Sequence, residues 1–265
     1  MDTPPRATLD GWTVRSVTVD GITHDCHEKG TGPGVVLLPE LPGMTPEVLG
    51  LGEHLVGEGF TVVVPSLFGV PGKAQSPGYL ATSLARACVS KEFGAFATRS
   101  SRPVSAFLRS VARELDARTP GRGVGVIGMC FSGGFALAAA VDESVTAPVL
   151  SQPSVPLPLG RRRSADVGLS DGELSAVIDR TRNGLCVLGL RFSEDRLAPA
   201  SRFTALRDLL GDAFEVIELD SSRGNAAGFT RAAHSVLTLE VREETGHPAL
   251  VARTRVVEFL RERLG

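Results

Sequence analysis

The stretch Gly123-Val124-Gly125-Val126-Ile127-Gly128-Met129-Cys130-Phe131-Ser132-Gly133-Gly134 decides how the rest of the chain is read. Valines alternate with glycines, a cysteine follows among small residues, and Phe135-Ala136-Leu137-Ala138-Ala139-Ala140 continues. That order predicts a short buried strand, a sharp turn and a helix of small side chains. Such a strand-turn-helix can hold one nucleophile at its apex, with Gly128, Ser132 and Gly133 leaving room for the crowded backbone. The residue at the apex is Cys130. The same stretch also contains Gly123-x-Gly125-x-x-Gly128, the spacing of a dinucleotide fingerprint. That fingerprint should follow a strand and open a helix. Here Val124, Val126 and Ile127 are the strand itself, so a dinucleotide-dependent oxidoreductase is the weaker reading.

Composition narrows the classes. With 265 residues, 42% hydrophobic and 22% charged, the chain fits one soluble domain over residues 1–265 with a sizeable core. A net charge of −2 lacks the basic excess of a nucleic-acid footprint. Arg161-Arg162-Arg163 reads as a solvated loop tip. Met1 to Arg6 lacks the apolar centre of a signal peptide, and no apolar run reaches membrane-spanning length. The expectation is a cytoplasmic protein, with neither nucleic acid nor membrane as partner and with Cys26, Cys88, Cys130 and Cys186 reduced.

Trp12–Val19 and Ile22–His27 predict an antiparallel hairpin forming an N-terminal edge within residues 1–30. Val35–Leu38 is a wholly apolar run suited to a buried parallel strand. Thr45-Pro46-Glu47 predicts a capped helix to about Glu58. A strand over Phe60–Val64 precedes a loop over Ser66–Gly78. A mostly helical region follows over Leu80–Ala117, interrupted near Arg102-Pro103. After the central turn come a short strand at Pro148–Leu150 and an irregular segment over Ser154–Gly168. Then follow a helix from Ser170 to Asn183, a strand over Leu185–Leu190, a helix over Pro199–Leu210, a strand over Phe214–Leu219 and a last helix over Leu250–Leu264. This rhythm predicts an α/β fold, a mostly parallel central sheet with helices on both faces.

A cysteine nucleophile needs a histidine base and a carboxylate to orient it, arriving in the order nucleophile, acid, base. Asp195, just beyond the Leu185–Leu190 strand, and His234, beyond the Phe214–Leu219 strand, are placed for those roles. Loops at the carboxyl ends of parallel strands gather on one side of the sheet. Glu194 and Asp220 compete with Asp195, and His24, His27, His54 and His247 compete with His234. Ser132 is a competing nucleophile in a register that starts the helix too late, and it is also a candidate substrate contact. The oxyanion of acyl transfer would take backbone N–H groups of Phe131 and Leu41. His24-Asp25-Cys26-His27 has a metal-like look, but His27 points away from His24 and Cys26 on a strand, so no metal is expected.

The segment Gly128–Gly134, with Glu40-Leu41 after an apolar strand, Asp195 four residues before Pro199, and His234-Ser235, resembles the dienelactone hydrolase family over about Val35–Ser235. The resemblance implies an α/β-hydrolase fold and hydrolysis of small activated esters or lactones through an acyl-thioester, without metal or cofactor. It also implies that Glu40 approaches and helps activate the thiol. Ser132 stands where glycine is usual in the family. The family's basic residues for a substrate carboxylate have only Arg86 and Lys91 as candidates. A thiolate leaves more readily than an alkoxide, so good leaving groups are required: enol esters, aryl esters, lactones or thioesters fit, and peptide amides do not. Two other readings share the pocket: a non-catalytic small-ligand binder and a biosynthetic tailoring protein.

Overall fold

The computed structural model describes residues 3–265. Alternation at the start builds the hairpin of β1 (Thr13–Val19) and β2 (Ile22–Lys29), with Val19 opposite Ile22. Asp20 and Gly21 turn it with φ of 51° and 81°, the left-handed pair that a two-residue hairpin turn requires. The apolar run after it becomes β3 (Gly34–Leu38), and α1 (Pro46–Gly57) starts where Thr45 accepts the Val48 N–H and Pro46 opens the first turn. Next come β4 (Thr61–Pro65), α2 (Pro77–Val89), α3 (Pro103–Asp116), β5 (Val124–Met129) and α4 (Gly133–Ala139). The remainder is β6 (Val145–Ser151), α5 (Gly160–Ala165), α6 (Asp171–Arg182), β7 (Val187–Phe192), α7 (Ala200–Leu210), β8 (Phe214–Leu219) and α8 (Pro248–Leu264).

The strands form one sheet in the order β1-β2-β4-β3-β5-β6-β7-β8. β2 runs antiparallel to both its neighbours, and every pairing from β4 through β8 is parallel. Alternate side chains of the buried strands feed two apolar layers. Val36, Leu38 and Val126 pack with Phe107, Val111 and Leu115 of α3, Phe135 of α4 and Phe203 of α7. Val35, Leu37, Ile127 and Met129 pack on the opposite face with Leu49 and Leu55 of α1 and Val256, Phe259 and Leu260 of α8. This is the layered architecture of the expected α/β-hydrolase fold.

Two expectations need correction. The helical region after β4 is two helices separated by all of residues 90–102, a wider break than Arg102-Pro103 alone. Gly94 and Arg99 lie at φ of 52° and 49°, which a right-handed helix cannot continue through. The segment after β6 is not wholly irregular, because residues 160–165 close into α5.

Candidate active site

β5 ends at Met129, and Cys130 takes φ of 52°, a left-handed backbone that a residue with a Cβ seldom adopts. From there the chain enters a single 3₁₀ turn, Cys130–Ser132, and runs straight into α4. Close backbone approach explains the flanking glycines. A Cβ on Gly128 would lie 2.5 Å from the Ser132 carbonyl oxygen, and one on Gly133 would lie 2.6 Å from Pro153 Cα. Ser132 is fully buried. Its hydroxyl accepts the Met129 N–H at 3.1 Å and lies 3.1, 3.0 and 3.0 Å from the carbonyl oxygens of Leu38, Pro39 and Met129. Its one proton serves those acceptors in turn. Ser132 therefore ties the bend to the end of β3 and is neither a nucleophile nor a substrate contact, which corrects that expectation.

The Cys130 sulfur is half-buried, 3.6 Å from the Ser154 hydroxyl, and the Ser154 N–H donates to the Cys130 carbonyl at 2.9 Å. His234, in the loop after β8, brings Nδ1 to 2.7 Å from Asp195 Oδ2. The other Asp195 oxygen accepts the N–H groups of Leu197 at 2.9 Å and Ala198 at 3.3 Å, so the carboxylate is fixed before the imidazole meets it. Asp195 as acceptor fixes one ring proton on Nδ1 and leaves Nε2 as the nitrogen that gains or loses a proton. Nε2 is buried without a hydrogen-bond partner. Burial disfavours charge on this imidazole, but the adjacent Cys130 sulfur and the Asp195 hydrogen bond outweigh it and hold its pKa well above the usual histidine range. The Cys130 sulfur lies close enough to the imidazole to favour its charged form.

Glu40, just past β3, is buried, and its position departs from the expected thiol contact. Oε2 accepts the Ser235 hydroxyl at 2.8 Å and the Gln152 amide at 3.3 Å, while Oε1 accepts a short bond from the Thr238 hydroxyl. Those three donors hold the carboxylate, and no hydrogen bond joins it to the sulfur. Burial pushes its pKa up, partly offset by the same donors and by His234. Through Ser235 and Thr238, Glu40 anchors the segment that carries His234.

Cys130, His234, Glu40, Leu41, Phe131 and Ser154 all line one cavity of about 620 Å³. The Phe131 N–H belongs to the opening turn of a helix, where N–H groups have no carbonyl one turn back. Arg86, on α2, and Lys91, beyond it, are exposed and do not line this cavity, which corrects their assignment as substrate-binding residues. Arg196 is the cation that does, and it is exposed. A second hollow of about 370 Å³ lies against the same Asp195–His234 pair and shares Arg196, Leu197 and Ala232 with the first. Among the described residues, no group of three or more His, Cys, Asp or Glu side chains is placed to hold a metal ion.

Several contributors escape a reading of residue order. Gln152 and Ser154 stand in Ser151-Gln152-Pro153-Ser154, polar residues at the carboxyl end of β6, which is the one signal that could have marked them. Arg202 of α7 gave none: it is 1% exposed, and its guanidinium donates to the carbonyls of Pro153, Pro156, Arg163 and Asp166 at 2.5–2.9 Å. That fork holds the cavity wall between β6 and α6.

Comparison with known proteins gives a consistent picture. The model of the dienelactone hydrolase family matches residues 20–262. A carboxymethylenebutenolidase of Rhodococcus opacus is 31% identical over 132 residues, 49% of this chain and 48% of that protein, so the match spans about half of that curated relative. A Klebsiella pneumoniae structure assigned to the dienelactone hydrolases superposes with a TM-score of 0.64 at 17% identity, covering 95% of this chain and 98% of the other. A dienelactone hydrolase from Anabaena variabilis gives 0.59 at 16% identity, covering 99% and 100%. Likeness at such identities speaks to the α/β-hydrolase fold.

Proposed function

The chain belongs to the dienelactone hydrolase family, and from that premise we propose that it is a cysteine-dependent hydrolase of small activated esters or lactones. The observation that carries this reading is the cavity itself. A cysteine on a left-handed bend shares it with a histidine whose Nδ1 is held 2.7 Å from a buried carboxylate.

In the proposed cycle, His234 Nε2 takes the Cys130 thiol proton, and Asp195 stabilises the resulting imidazolium. The sulfur attacks the acyl carbon, and the carbonyl electron pair moves onto oxygen, facing the N–H groups of Phe131 and Leu41. Collapse reforms the carbonyl, breaks the acyl–oxygen bond and expels the leaving group, which takes the proton from His234. Water then attacks the thioester as Nε2 removes its proton. The sulfur departs, retrieves that proton from His234, and the acid is released. One water is consumed per ester, and the residues return to their starting state. Glu40 acts by fixing the His234 segment through Ser235 and Thr238, and Ser154 is the partner of the sulfur at rest.

Intact-mass spectrometry after exposure to a panel of aryl esters and lactones tests the proposal. A mass increase equal to the acyl group, absent in Cys130→Ala, together with a burst of released phenol, is expected. Binding without adduct or turnover would identify a non-catalytic ligand protein instead.

A further inference from the structure

We propose that the cavity selects uncharged esters, lactones or thioesters carrying an apolar chain, and rejects those whose acyl part ends in a carboxylate. This rests on the hydrolase reading above and adds the substrate class. The walls are leucines delivered by separate parts of the chain: Leu80 and Leu84 from α2, Leu157 and Leu159 from the segment before α5, Leu197 after β7, and Leu239 after the His234 loop. Three of them remain exposed, Leu84 at 39%, Leu159 at 60% and Leu197 at 48%. A single exposed leucine on a soluble protein needs no explanation, but three converging on one mouth make an apolar collar around the opening. The collar continues the apolar surface of the cavity outward, so a chain longer than the cavity still leaves water along its length.

The ionisable groups inside point the same way. Glu40 and Glu240 both line the cavity. Burial pushes the pKa of each up, and the two carboxyls reinforce one another at Glu240, where Arg242 partly offsets them. Ionised, they repel a substrate anion; protonated, they provide no cation for it. Arg231 lines only the neighbouring hollow and is paired with Glu194 at 2.6 Å. Among the described residues, Arg196 is the one lysine or arginine lining this cavity, and it is exposed; the His234 imidazole is already engaged by Asp195 and the Cys130 sulfur. A pair formed at Arg196 in water gains little, and a carboxylate drawn further in loses its hydration with no second lysine or arginine to receive it.

The test compares para-nitrophenyl octanoate with the mono-para-nitrophenyl ester of suberic acid, the same chain ending in a carboxylate. We expect the octanoate to have the higher kcat/KM by at least about tenfold. Glu240→Gln should narrow that ratio. In parallel, calorimetry on Cys130→Ala compares octanamide with suberamic acid, which needs no chemistry at the sulfur. Octanamide should bind and suberamic acid should bind at least about tenfold more weakly. Equal or faster turnover of the suberate ester, lost in Arg196→Gln, overturns the proposed selectivity, as does equal binding of suberamic acid. If neither ester shows Cys130-dependent turnover while octanamide still binds selectively, the hydrolase reading fails and the selectivity stands. Absence of both turnover and octanamide binding removes both.

Discussion

At the scale of single residues, the four thiols differ sharply in setting. Cys26 is fully buried on β2, and burial pushes its pKa up to about 12. Burial also raises Cys88. Cys130 instead opens onto a cavity beside a histidine. Iodoacetamide at neutral pH should therefore label Cys130 first and Cys26 last, and His234→Gln should slow the Cys130 rate by at least about tenfold. Peptide mapping of partly labelled protein decides it, and uniform labelling would remove the activated thiol. The imidazole supplies a second expectation. Its folded pKa lies well above 6.5, so the stability it contributes is complete below about pH 6.5 and is lost as pH rises through the folded value. The Tm advantage of the wild type over His234→Gln should accordingly shrink from pH 6 to pH 9; an advantage that grows over this range contradicts the assignment. The placement of Cys130, Asp195 and His234 was legible because each follows the carboxyl end of a strand. Ser132, Arg86 and Lys91 were misread because residue order does not show which side of a helix, or of a bend, faces the cavity.

At the scale of elements, the bend and the wall opposite it are each fastened by one polar side chain. Removing the Ser132 hydroxyl in Ser132→Ala leaves the buried Met129 N–H without its acceptor and should cost about 1–3 kcal/mol, read as a lower urea midpoint at unchanged slope. Arg202 has the larger part. Burial lowers its pKa only to about 10, so it stays cationic at neutral pH, and its carbonyl partners span Pro153 to Asp166. Arg202→Met strands several buried carbonyls and should cost about 3 kcal/mol or more, with activity lost beyond the fraction unfolded. Unaltered kcat/KM in the folded variant would show that the wall stands without it. β3, β5 and the capped α1 were readable from apolar runs and a proline-led cap. The break over residues 90–102 was not, because left-handed Arg99 carries no residue signature and because Arg102 is held by Gly168, far along the chain.

At the scale of the whole molecule, one sheet runs from the N-terminal hairpin to β8, with an apolar layer on each face. The sole tryptophan, Trp12, packs beside α1 and donates its indole N–H to Glu53 at 2.7 Å, remote in sequence from Cys130. If the sheet unfolds as a unit, Trp12 fluorescence and Cys26 reactivity should change at the same urea concentration; separated midpoints would divide the chain into independently folding parts. The order in which the site is assembled carries a further consequence. The proposed nucleophile is at residue 130, the arginine that braces its wall at 202 and the proposed base at 234. On the proposed reading, a polypeptide still leaving the ribosome carries its sulfur for about a hundred residues of synthesis before the proposed base follows, and the site is complete only once residue 234 has emerged.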